Sequence, residues 1–216
     1  MDPGTVLIRA DSNVAMGTGH VMRCLALAQA WQDAGGQAVM AMAEATPATE
    51  DKLRRENVEV VRLDVAGGAE DDAIRTASLA QQRQAAWATV DGYQFDPHYQ
   101  AMLKSEGLRL MSIDDEGHGG PYSADLVLNQ NAHAAEALYD QRAAHTRLLL
   151  GPDYAMLRRQ FASWRNWQRE IPATGHRILV TMGGSDPGND GRGFAVQGMR
   201  RTARTCPMPV VFTSPL

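Results

Sequence analysis

The stretch "TVLIRADSNVAMGTGHVMRCLALAQAW", residues 5–31, decides the fold. Residues 5–11 are aliphatic and β-branched and end in an acid, the pattern of a buried strand. Gly17 and Gly19 then open a turn. From His20 onward Val21, Leu25, Ala28 and Trp31 or Gln32 fall at helical spacing, and Gly35 and Gly36 stop the helix. A strand running through a glycine turn into a helix is the opening of a βαβ unit.

The same alternation continues along the chain. Strands are expected within residues 37–43, 58–64, 85–93, 108–116 and 125–131, and a strand or turn within 147–154. Helices are expected within 46–57, 69–84, 97–107, 134–145 and 154–167. Strands and helices in strict alternation predict an α/β, Rossmann-like parallel sheet covered on both faces. In such sheets ligands bind outside the carboxyl ends of the strands. Asp11 and the glycine loop, Asp91-Gly92-Tyr93, Asp114-Asp115 and Asn129 to Asn131 all follow a strand. The polar stretch "QREIPATGH" (168–176) breaks the pattern, and "RILVTMGGSDPGND" (177–190) begins a new strand–glycine turn–helix unit. The expected organisation is therefore one domain over residues 1–170 and the start of a second over 176–216.

Composition narrows the function classes. With 44% hydrophobic and 21% charged residues the chain reads as a globular protein. A net charge of -4 without a basic stripe argues against nucleic acid as a partner. The two cysteines, Cys24 and Cys206, form neither a disulfide framework nor a zinc pattern, so a cytoplasmic location is expected. No apolar run approaches the ~20 residues of a membrane span, and neither a membrane nor a protein partner is expected.

The loop "MGTGHVMR" (16–23) is not a dinucleotide fingerprint, because Met22 stands where the third glycine belongs. With no Walker lysine either, no cofactor is expected. Two glycines serve a plain turn equally well. His20 is the informative residue. A helix N-terminus carries partial positive charge and free N–H groups, which disfavours imidazolium and leaves a neutral ring able to accept a proton. The competing reading is a capping or packing histidine. Arg9 and Asp11 share one face of the first strand, so Asp11 is placed to orient His20 or to bind hydroxyls, with Arg9 as its partner; a buried ion pair is the alternative. Arg23, three residues after His20, reads as a solvated surface arginine.

"SIDDEGHGGPYSADLVLNQN" (112–131) brings Asp114, Asp115, His118, Tyr122, Asn129 and Asn131 to strand ends, a polar set suited to a sugar. Asp114, Asp115 and His118 match no familiar metal spacing, and adjacent strand residues point opposite ways, so no metal is expected. Gly183, Gly184 and Ser185 form a second glycine turn that suits phosphate oxygens, or serves only as a turn with Asp186 as helix cap.

Taken together, "RADSNVAMGTGHVMRCLALAQAW", "VDGYQFD", "SIDDEGH", "ADLVLNQN", "LLGPDYAMLRRQF" and "ILVTMGGSDPGN" resemble, in order and spacing, the UDP-2,4-diacetamido-2,4,6-trideoxy-β-L-altropyranose hydrolases of pseudaminic-acid biosynthesis. That acid decorates flagellin and surface glycans. The family in turn is similar to GT-B glycosyltransferases, with a sugar-side N-terminal domain facing a UDP-binding C-terminal one. The resemblance implies that His20 is the general base, activating water for inverting attack at the anomeric carbon while UDP leaves. It implies substrate-binding roles for Arg9, Asp11, Gly17, Gly19, Asn129, Asn131, Tyr154 and Arg158, and a diphosphate-side role for Gly183, Gly184 and Ser185. It implies no metal, and a UDP-sugar as the partner. Gly191 stands where the family pattern carries threonine, and the later part of a UDP-binding domain has no counterpart, so the chain is expected to be C-terminally truncated relative to the family. The alternatives are a nucleotide-sugar glycosyltransferase of the same architecture, or a non-catalytic sugar-binding fragment.

Overall fold

The computed structural model describes residues 3–168, 170, 178–180 and 210–212. Seven parallel strands form one sheet in the order β3-β2-β1-β4-β5-β6-β7. They are β1 (Thr5–Ala10), β2 (Gln37–Met42), β3 (Glu59–Arg62), β4 (Ala85–Asp91), β5 (Leu110–Ile113), β6 (Leu126–Asn129) and β7 (Arg147–Leu150). Four helices connect the early strands: α1 (Gly19–Asp33), α2 (Pro47–Arg55), α3 (Glu70–Gln82) and α4 (Pro97–Ser105). Strand order reverses direction between β1 and β4, which opens a crevice at their carboxyl ends, where such folds bind ligands.

Side-chain alternation along β1 divides the core in two. Val6, Ile8 and Ala10 pack with Val21, Cys24 and Leu25 of α1 and Leu53 of α2. Leu7 faces the other way, into a cluster with Ala73, Ala77 and Leu79 of α3 and Tyr99 and Leu103 of α4. Helix starts follow local chemistry. Thr46 and Asp96 cap α2 and α4 by accepting the backbone N–H of Thr49 and Tyr99, each with proline in the first turn. The first turn of α3 carries Glu70, Asp71 and Asp72. By contrast, among the described residues no side chain caps α1, and its first turn carries no acid.

Two expected helices are absent as such. Within 134–145 there is only a 3₁₀ turn at Glu136–Tyr139. The N–H of Tyr122 donates to the Gln141 carbonyl and that of Ala143 to the Tyr122 carbonyl, which takes backbone groups a helix would need. Within 154–167 the backbone is 3₁₀ only at Pro152–Tyr154 and Arg159–Trp164. There the N–H groups of Met156 and Arg159 go to the side-chain carbonyls of Gln130 and Gln29. Leu157, Phe161, Trp164 and Trp167 remain exposed, so no buried stripe rewards a regular helix. A separate two-stranded sheet pairs β8 (Ile178–Val180) in parallel with β9 (Val210–Phe212). Gly183, Gly184 and Ser185 lie outside the described residues.

Candidate active site

The loop after β1 closes on itself before α1 begins. The N–H of Gly17 donates to the Asn13 carbonyl at 2.8 Å, and Gly17 takes a φ of 77°, a left-handed conformation that suits glycine. Gly19 is different: it starts α1, is exposed, and a Cβ there would meet nothing within 4 Å. Of the two glycines, only Gly17 is required by the turn.

His20, in the first turn of α1, has 11% of its side chain exposed. Its Nδ1 lies 2.7 Å from Asp91 Oδ1, at the carboxyl end of β4. An ionised carboxylate only accepts, so Nδ1 carries a proton and donates it to Asp91, which leaves Nε2 as the ring nitrogen free of this bond. Register explains the pairing. Asp91 sits opposite Ala10 in the parallel ladder, and in-register residues point to the same face, which for Ala10 is the α1 face. Asp11, one residue on, faces away. The expectation that Asp11 orients His20 is therefore corrected: Asp91 does.

Asp91 is gripped from one helix face. Arg23 donates from Nε to Oδ2 and from Nη2 to Oδ1, both at 2.6 Å, and the Cys24 thiol reaches Oδ2 at 3.3 Å. Residues 20, 23 and 24 fall at i, i+3 and i+4, so three side chains converge on one carboxylate. Arg23 also donates from Nη1 to Asp115 Oδ2 at 2.7 Å, beyond β5. The reading of Arg23 as a solvated arginine is corrected by these bonds; only 14% of its side chain is exposed. Burial alone would raise the Asp91 pKa, but the hydrogen bonds from Arg23 and His20 outweigh it and hold the carboxyl below its ordinary range. Burial, with Asp91 beside it, pushes the Cys24 thiol up, which keeps it protonated and inert. Tyr93 stands edge-on to the His20 ring with centroids 5.2 Å apart, and His118 stands edge-on to Tyr93 at 5.9 Å.

The other candidate residues divide into supports and outliers. Arg9 is fully buried and held by Asp11 and by Asp72 from α3. Direct contact of Arg9 with a substrate is corrected to a structural role, since its guanidinium is enclosed by those two carboxylates. Asp11 also accepts the backbone N–H groups of Ala43 and Glu44 and the Gln94 amide, which ties the ends of β1 and β2 to the turn after β4. Asn129 is buried and donates to the Asp115 carbonyl and the Tyr139 hydroxyl while accepting from the Asn131 N–H. It therefore fixes the loop that carries Asp115. Asp114 accepts the N–H groups of Glu116, Gly117 and Gly119 and the Tyr122 hydroxyl, which organises the same loop. Tyr154 is exposed, and Arg158 lies over Phe161 in a separate groove of about 460 Å³ with Gln29 and Asp33 of α1. Neither bonds to His20, Asp91 or Arg23. Among the described residues no group of three or more His, Cys, Asp or Glu side chains is arranged to hold a metal ion.

The sequence places Asp91, Tyr93 and Asp115 at strand ends and Arg23 on the helix, but links none of them to His20. Their position at strand ends and on one helix face was the available signal. The β1–β4 register, which selects Asp91 over Asp11, is a tertiary fact.

The chain is 24% identical over 183 residues to the UDP-2,4-diacetamido-2,4,6-trideoxy-beta-L-altropyranose hydrolase of Campylobacter jejuni, a match covering 84% of this chain and 61% of that protein. The chain thus matches less than two thirds of its relative's length. Among solved structures, Anabaena Alr3699/HepE in complex with UDP-glucose superposes with a TM-score of 0.54 at 14% identity. Its complex with UDP and glucose gives 0.55 at 13% identity. Both cover 98% of this chain and 70% of the other, and the likeness is one of fold. No protein-family model matches the chain.

Proposed function

We propose that this chain provides the sugar side and the general base of a UDP-sugar hydrolase. The substrate class is a UDP-linked diacetamido-trideoxy sugar of the kind named for its Campylobacter relative. The observation that carries the reading is the His20–Asp91 pair at the β1/β4 crevice.

Asp91 fixes the Nδ1–H tautomer, so Nε2 takes a proton from water as the water oxygen attacks the anomeric carbon. The bond between that carbon and the diphosphate oxygen breaks, and UDP leaves with the electron pair. The configuration inverts. His20 becomes imidazolium beside the Asp91 carboxylate and returns its proton to solvent. The uncapped N-terminus of α1 supports the build-up of negative charge nearby. Gly183, Gly184 and Ser185 are assigned to the diphosphate by resemblance alone.

Incubating the 216-residue chain with UDP-2,4-diacetamido-2,4,6-trideoxy-β-L-altropyranose and following UDP tests the reading. Release without any acceptor is expected. Release only when a sugar or lipid hydroxyl is supplied would make the chain a transferase, and binding without release would make it a binding protein.

A further inference from the structure

The dyad poses a charge problem. A carboxylate 2.7 Å from an imidazole favours the protonated ring, and an imidazolium cannot take a proton from water. Arg23 supplies the counter-charge. Its Nε and Nη2 clamp both oxygens of Asp91, and Nη2 comes within 3.2 Å of His20 Nδ1. Nδ1 already donates to Asp91, so the second contact places a cation beside the ring and adds no hydrogen bond. Asp115 then draws on the same guanidinium through Nη1.

We infer that Arg23 is a positioning residue that takes up the charge of Asp91 and so leaves His20 free to act as a base, with Asp115 setting how much of the Arg23 charge the ring feels. The kinetic consequence rests on the hydrolase reading; the electrostatic one does not. Among the described residues the groups around the ring are few. From α1 come Arg23 and the Cys24 thiol; from β4 and its turn, Asp91 and Tyr93; from the loop after β5, Asp115, with Glu116 and His118 beyond Tyr93. The thiol and the Tyr93 hydroxyl are both pushed up by burial and stay neutral near pH 7. Glu116 and His118 are exposed and water-screened. The balance at the ring is therefore set by Arg23 against Asp91 and Asp115.

Opposite variants must then act in opposite directions. The full chain is labelled with ¹⁵N-histidine, the His20 signal is identified by its loss in His20→Asn, and the ring is titrated by NMR. Arg23→Gln should move the His20 midpoint up by about 1 pH unit, roughly a tenfold change in protonated fraction. Asp115→Asn should move it down by less. Arg23→Lys, which keeps the charge and loses the two-pronged grip, should leave the midpoint near wild type and still lower turnover. A folded Arg23→Gln with an unmoved midpoint would overturn the inference. If Arg23→Gln does not fold, the Asp115→Asn midpoint decides: a fall supports the inference, and no change or a rise overturns it. The acid limb of UDP release should follow the same shifts. Absence of UDP release by wild type would count against the hydrolase reading and leave the NMR titration to judge Arg23.

Discussion

His20 Nδ1 donates to Asp91 Oδ1 across 2.7 Å, joining the first turn of α1 to the end of β4. The bond fixes both ring orientation and tautomer. Asparagine at position 91 would present an amide N–H to the ring and favour the wrong tautomer. Asp91→Asn is therefore expected to lower kcat for UDP release by about 10²–10⁴-fold with little change in KM. A variant that keeps wild-type kcat would remove Asp91 from this role.

Gly17 and Gly19 separate turn geometry from ligand access. Gly17 has a φ of 77°, so Gly17→Ala should cost about 1–2 kcal/mol in urea unfolding. Gly19→Ala meets nothing within 4 Å and, at the start of α1, should hold stability or raise it by up to about 1 kcal/mol. Because Gly19 is exposed beside His20, the same variant should lower turnover with no fall in Tm. A destabilised Gly19→Ala would contradict this division.

The enclosed charge cluster makes a prediction about stability alone. Arg9 and Asp72 are both fully buried, and Asp72 also accepts from the Gly68 N–H and the hydroxyls of Thr76 and Tyr99. Removing Asp72 leaves Arg9 with Asp11 alone and takes the acceptor from three buried or part-buried donors, so Asp72→Ala should destabilise the fold by about 3–5 kcal/mol. Chemical denaturation yielding a loss below about 1 kcal/mol would show that Asp11 alone satisfies Arg9.

How far the sequence alone carries depends on the range of the interaction. The strands and α1 to α4 were legible because alternation, caps and glycine stops are local signals. Residues 134–145 and 154–167 misled because their helical spacing competes with distant partners: the Tyr122 backbone in one case, and Gln29 and Gln130 in the other. At the site, His20 stood out from its place at a helix start. Its partner did not, since Asp11 and Asp91 both end strands and only register sends Asp91 to the α1 face. Arg23 was misread for the same reason: its two carboxylates come from β4 and from the loop after β5.

Acid should unfold the protein through carboxylates held in their ionised form. For Asp91, burial is outweighed by Arg23 and His20; for Asp114, by the Tyr122 hydroxyl and three backbone N–H groups, so both carboxyls sit below their ordinary range. A carboxylate depressed in the folded state contributes its full stability above the unfolded value, about 3.9, and loses it as pH falls toward the folded value. Tm is expected to decline below about pH 4. Asp114→Asn should start from a lower Tm at pH 7 and decline less steeply. Parallel curves for variant and wild type would contradict the assignment.

The most direct test of the account is UDP release from the UDP-linked diacetamido-trideoxy sugar by wild type and by His20→Ala, with no acceptor present. Wild type should release UDP steadily, and the variant should lose about 10²–10⁴-fold of that rate with binding largely kept. Equal rates in the two would show that water is activated elsewhere and that the His20–Asp91 pair serves the fold alone.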